Sequence, residues 1–269
     1  MKGVLIKYKD TGTEDPFNAR MMFGVMKLRD AFIKNDEEER LKFDNLYQPI
    51  FESLDDCINC KKQFVDLITL HKKKISSKEI VGFQNNGAIL EIHESIDREM
   101  NRLFKDFFIK GEIALKGLQK LTKTYGLDIG FFFQDDKAFQ KGAEHFLTEG
   151  RSDTKAVVEM LTSDRKWHTT FNEIRIAIEH GGFSLGRIEY HHDVGGNVIV
   201  YIPKINDKDL DEVVSIMSNN VFEFIEDVIA MTASRNIKDP LCVIQIPEDK
   251  RDPSLPIKYT VGVDGMPIM

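Results

Sequence analysis

The chain has 269 residues, 42% hydrophobic and 30% charged, with a formal net charge of −7 at pH 7. That length buries a substantial core, while the acidic balance argues against indiscriminate nucleic-acid binding through bulk charge. No apolar run approaches the ~20 residues of a membrane span. With three cysteines and no secretion-type leader, the expectation is a cytoplasmic protein with no membrane partner.

In chain order, Met1–Lys7 reads as a short strand. Glu14-Asp15-Pro16 predicts a helix start, with acids at the positive end of the dipole and proline in the first turn, and the helix runs to about Lys34. Asp36-Glu37-Glu38-Glu39 opens a second helix, which Pro49 breaks or restarts. Leu54, Cys57, Phe64 and Ile68 then recur at helical spacing up to a lysine run. Residues Ile75–Gly87 read as a loop, with Ser76-Ser77 and Asn85-Asn86-Gly87 as breakers.

The longest predicted element runs from about Ala88 to Tyr125, its apolar face marked by Ile89, Ile92, Ile96, Leu103, Phe107, Ala114, Leu118 and Leu121. Gly126 caps it. Phe131-Phe132-Phe133 reads as core, and shorter helices follow at 136–148, 152–162 and 165–180. Beyond Gly182, strand-like alternation flanks Asp193-Val194-Gly195-Gly196, a hairpin turn. A helix at 207–234 and strand-like segments at 241–246 and 257–263 complete the chain.

The resulting fold class is mainly α: a helical bundle with long antiparallel helices, a small β-hairpin and C-terminal β segments. One domain covers 1–269, with the bundle at about 14–182, the hairpin at 186–203, the helix at 207–234 and the tail at 240–269.

The run Phe171-Asn172-Glu173-Ile174-Arg175-Ile176-Ala177-Ile178-Glu179-His180-Gly181-Gly182 points most directly at chemistry. A guanidinium holds phosphate oxygens in a planar fork, and an imidazole moves protons near neutral pH, so the pair can act on a phosphodiester without a metal. Trp167, Phe171, Ile174 and Ile178 mark the buried stripe of this helix, with Arg175 at its flank. At ~100° per residue, His180 lies about 140° further round. The alternative is structural: Glu179, four residues after Arg175, makes a surface ion pair, and His180 lies against the carbonyls of the helix end.

Arg175-Ile176-Ala177-Ile178-Glu179-His180 resembles the R-x4-6-H motif of the HEPN superfamily, α-helical domains of toxin–antitoxin, abortive-infection and CRISPR systems. The long paired helices expected between Ile50 and Tyr125 suit such domains. The resemblance implies a metal-independent endoribonuclease acting in defence or stress, its site composed by two copies of the motif and hence by a homodimer. His180 would be the acid-base residue and Arg175 would bind the scissile phosphate, leaving a 2′,3′-cyclic phosphate. RNA and an antitoxin or regulatory protein are the implied partners, with no cofactor and no metal. At position 176 the chain departs from the pattern, with isoleucine where active members usually carry asparagine or aspartate. A non-enzymatic interaction or nucleic-acid-binding module of the same architecture is the second reading.

Other groupings read as structural. Cys57-Ile58-Asn59-Cys60 lacks the second pair a zinc site wants and reads as buried helix cysteines. His191-His192 are strand neighbours on opposite faces. His71-Lys72-Lys73-Lys74 with Lys78, and the row Arg98, Arg102, Lys105, read as solvated basic surface. A metal-dependent bundle enzyme using scattered carboxylates and histidines ranks below both readings, for want of paired ligand motifs. There is no P-loop, dinucleotide fingerprint or nucleophile elbow.

Overall fold

The computed structural model describes residues 13–84, 89–193, 195, 197–263 and 266–267. The strand expected at Met1–Lys7 lies outside them. Among the described residues the fold is mainly α, with small antiparallel strand pairs. No helix among the described residues is long and apolar enough to cross a membrane.

The first helix starts where its sequence predicts. Asp15 Oδ1 accepts hydrogen bonds from the backbone N–H groups of Phe17 (2.9 Å) and Asn18 (3.1 Å), and Pro16 follows the cap. The winding from Asn18 to Gly24 is π-helical, and it passes into α1 (Val25–Phe32).

Asp36 caps α2 (Glu37–Ser76) by accepting from the Glu39 N–H at 2.9 Å. The break expected at Pro49 does not occur. Proline removes one helical hydrogen bond and costs roughly 3 kcal/mol, but the buried side chains of Tyr47, Ile50 and Leu54 on either side offset that.

The loop expected at 75–87 and the helix expected from Ala88 are both corrected. Val81–Gln84 forms β1 and pairs antiparallel with β2 (Ile89–Ile92), placing Val81 opposite Ile92 and Phe83 opposite Leu90. Helix α3 therefore begins later and covers Asp97–Thr124. It ends as expected, with Gly126 at φ +81° and the Leu127 N–H bonding back to the Thr122 carbonyl at 2.8 Å.

A 3₁₀ turn, Gly130–Phe133, places Phe132 in the core, and α4 (Asp136–Leu147) follows with Asp135 as its cap. The two helices expected at 152–162 and 165–180 are one, α5 (Thr154–Glu179). Asp164 accepts from the Trp167 indole N–H at 2.8 Å, so the side chain that could have capped a new helix bonds within the existing one.

The hairpin pairs β3 (Glu189–His192) with β4 (Val198–Tyr201). A two-residue pair, β5 (Lys204–Ile205) with β6 (Lys208–Asp209), leads into α6 (Leu210–Asn236). The tail forms a sheet of β7 (Leu241–Gln245), β8 (Tyr259–Val263) and β9 (Met266–Pro267).

Contacts divide the chain into two compact units. The first comprises Met1–Phe51, Lys116–Thr162 and Glu223–Met269. Its core includes Phe32, Phe43 and Tyr125, with ring centroids 5.5–5.8 Å apart, and a stacked Phe132–Phe224 pair at 4.6 Å. The second comprises Glu52–Leu115 and Ser163–Phe222. Phe64, Phe104, Phe108 and Phe171 form its aromatic spine, at 6.1, 4.9 and 4.9 Å in that order.

Two glycines of α3, one in each unit, make close approach possible. A Cβ at Gly111 would lie 2.8 Å from Phe171 Cζ, and one at Gly117 would lie 2.7 Å from Ile50 Cγ1. Both glycines weaken α3 by about 1 kcal/mol relative to alanine, and in exchange the facing side chains pack directly on its backbone.

Candidate functional site

Arg175 and His180 lie in the second unit, at the C-terminal end of α5. The packing that sets Arg175 in place differs from the predicted stripe. Leu161, His168, Phe171 and Ile174 are the buried residues of this helix face, whereas Trp167 and Ile178 are only half-buried. Leu161, His168 and Arg175 follow one another at seven-residue steps, so Arg175 continues the line of two buried side chains. Phe171 locks that face against α3 by filling the space over Gly111 and meeting the Phe108 ring at 4.9 Å.

The Arg175 side chain is 17% exposed, and its two terminal nitrogens have different surroundings. Nη2 donates to Asn172 Oδ1 at 2.8 Å and lies 3.6 Å from Glu112 Oε1 of α3. Glu112 is buried. Nη1 instead donates to Glu179 Oε2 at 2.5 Å, and the Glu179 side chain is 46% exposed. The expected ion pair with Glu179 is therefore present, together with an interior pairing that helical spacing within α5 could not reveal.

His180 is exposed and lies just past the helix end, its backbone N–H bonding to the Ile176 carbonyl at 3.0 Å. Gly181, at φ +71°, turns the chain away. No hydrogen bond joins Arg175 to His180 among the described residues.

Beneath this end of α5, His168 is almost fully buried. Burial lowers its pKa to about 4, and Arg165 and Arg175 push in the same direction, so the imidazole is neutral at pH 7. Sequence reasoning passed over it, although its position three residues before Phe171 marked it as inward-facing.

The basic cluster at 71–78 is corrected in one respect. His71 is buried, with Nε2 2.8 Å from the Tyr190 hydroxyl, and burial lowers its pKa, so it adds nothing to a basic surface. Lys74 pairs with Glu94 at 2.7 Å, and Arg102 pairs with Glu99 and Asp106 at 2.6 and 2.7 Å. Cys57 is buried with its thiol 3.7 Å from the Phe107 carbonyl, and burial pushes both its pKa and that of Cys60 up, away from thiolate chemistry. His191 and His192 are exposed on β3. His191 is near Glu189 at 3.4 Å, and His192 meets the Phe83 ring edge-on.

In the first unit, three α6 carboxylates missed by sequence reasoning come together. Ligand oxygens of Glu223, Glu226 and Asp227 all lie within 4.8 Å of one another. Their i, i+3, i+4 spacing was visible, but their partners were not. Arg20 donates to both Glu226 and Glu223, and Lys258 donates to Glu223 and Asp227 at 2.5 Å each. Two protein cations thus already occupy the charge that a metal would otherwise balance, and the group reads as an ion network. Burial raises the pKa of Glu226, whereas hydrogen bonds from Lys258 and Arg20 outweigh burial at Glu223 and lower its pKa.

No family model, curated protein or solved structure matches the chain.

Proposed function

We propose that the end of α5 is half of a metal-independent ribonuclease site of HEPN type, completed by a second copy of the chain in a homodimer. The observation that carries this reading is a guanidinium anchored from the interior by Asn172 and Glu112, five residues before an exposed histidine at the helix end. In this reading Arg175 binds the scissile phosphate and the charge that develops on it, since a guanidinium matches phosphate oxygens in a fork. His180 moves the proton between the ribose 2′-hydroxyl and the leaving oxygen. One copy presents a single arginine and a single histidine on different sides of the helix end, and a facing copy supplies the complementary pair. The cellular role is defence or stress, in the cytoplasm, with an antitoxin or regulatory protein as partner.

The carboxylates around Arg175 favour a second reading. An arginine already paired with Glu112 and Glu179 can be structural, and the chain would then be a helical interaction or nucleic-acid-binding module without catalysis.

Purified protein incubated with single-stranded and structured RNA in EDTA separates the two. The ribonuclease reading expects cleavage that is lost in Arg175→Ala and in His180→Ala, from a protein that sediments as a dimer. Cleavage persisting in both variants overturns it. RNA binding without cleavage supports the module.

A further inference from the structure

The surroundings of Arg175 are asymmetric, and the asymmetry has a direction. On Nη2 the partners are fixed. Asn172 lies one turn back on the same helix, and Glu112 comes from α3, whose backbone is held to α5 by Phe171 against Gly111. On Nη1 the partner is Glu179, an exposed side chain in the last residue of α5. Such an i, i+4 surface pair is weak, because water screens it and two long side chains must be ordered to make it. A carboxylate and a phosphodiester present the same kind of acceptor to a guanidinium: two oxygens sharing negative charge.

We propose that Glu179 is a displaceable stand-in for the RNA phosphate on the outer nitrogen of Arg175, while Glu112 and Asn172 are positioning residues that hold the inner one. This inference rests on the reading of Arg175 as a phosphate-binding residue. Free protein is held in a self-paired state. RNA enters by exchanging one carboxylate contact for a phosphate contact, with no reorganisation of the guanidinium. Glu179 sets the affinity threshold of the site, and its negative charge beside the incoming backbone rejects weakly held polyanions.

The test uses two substitutions that remove the same formal charge from opposite sides of one arginine. Binding of a fluorescein-labelled single-stranded RNA, 2′-O-methylated throughout so that it lacks the 2′-hydroxyl needed for cleavage, is followed by anisotropy in EDTA. Glu179→Gln is expected to tighten binding by about threefold, the scale of a surface ion pair, and the gain shrinks as salt rises. Glu112→Gln is expected to weaken binding although it too removes a negative charge, because the guanidinium loses its inner anchor. Bulk electrostatics alone predicts tightening in both. If Arg175→Ala leaves affinity unchanged, the phosphate-binding reading itself fails. If Arg175→Ala weakens binding but Glu179→Gln does not tighten it, that reading stands and the displacement proposal is overturned. Should Glu112→Gln fail to fold, the exposed Glu179→Gln variant still decides the outcome.

Discussion

Arg20 and Arg175 are both helix-borne arginines facing carboxylates, one in each compact unit. Arg20 sits on the π-helical stretch with its side chain 8% exposed, and it donates to Glu226 and Glu223 of α6. Glu223 in turn accepts from Lys258 of the segment leading into β8, Lys258 also reaches Asp227, and the Tyr259 hydroxyl donates to Asp227 at 2.9 Å. The chain of contacts runs from the N-terminal helix through α6 to the C-terminal sheet, with both cations enclosed. Arg175 likewise has an interior partner, Glu112, and an exposed one, Glu179, which is 46% exposed against 45% for Glu223; the difference is that Glu223 is itself held by Lys258. An arginine whose outer acid is pinned by a second cation holds a fold together, whereas the outer acid of Arg175 is held by an i, i+4 surface pair, the kind of contact that the proposed exchange needs. The π-helical winding fits the first role, since the wider turn carries Asn18, Ala19, Arg20 and Met21 all into the interior.

The comparison is broken most forcefully at Arg20. Arg20→Met leaves Glu226 buried without its hydrogen-bonding cation, and loss of one partner of such a pair costs about 3–5 kcal/mol. Urea unfolding should show that loss, and the double variant Arg20→Met/Glu226→Leu should recover much of it. An Arg20→Met chain as stable as the parent would remove the distinction between the two arginines.

Next in size is a pH effect beneath Arg175. His168 is held neutral by burial, with its pKa lowered to about 4, whereas in the unfolded chain imidazole takes up its proton near about 6.5. Between those values the unfolded chain binds more protons. The stability contributed by neutral His168 is therefore fully present above about pH 6.5 and is lost as the pH falls toward 4, by up to about 3 kcal/mol. His71, also lowered by burial, acts with the same sign. Urea midpoints taken at pH 7 and pH 5 should fall accordingly, and His168→Gln should flatten the difference. A parent chain equally stable at both values would contradict the burial argument.

The smallest effect is the most specific. Glu179→Gln removes a solvent-exposed pair and should change stability by only a few tenths of a kcal/mol. A loss above about 1 kcal/mol in thermal unfolding would make Glu179 a structural partner comparable to Glu226.

Much of the helical framework could be read from local chemistry. Asp15-Pro16, Asp36 and Asp135 mark helix starts, and Gly126 marks a stop, because capping is settled within a few residues. The misreadings arose where tertiary packing decided. Pro49 is carried inside α2 by the buried side chains around it, and Ser163-Asp164 does not interrupt α5. The β1–β2 pair was hidden because its apolar residues also fit a helical stripe. In the sequence, Val81–Gln84 and Ile89–Ile92 are short enough for strands, and a helical stripe begun at Ile89 overrides that reading. At the candidate site, Arg175, Glu179 and His180 were visible as a local pattern. Glu112 was not, because it lies on another helix, and neither was the inward position of His168, which polarity disguised.

The central claim is that Arg175 and His180 cleave RNA without a metal, and the chemistry of the product ends tests it most directly. In EDTA, the parent protein should leave 2′,3′-cyclic phosphate and 5′-hydroxyl termini, absent with Arg175→Ala and His180→Ala. Termini bearing 3′-hydroxyl and 5′-phosphate, or cleavage that requires a divalent cation, would contradict it.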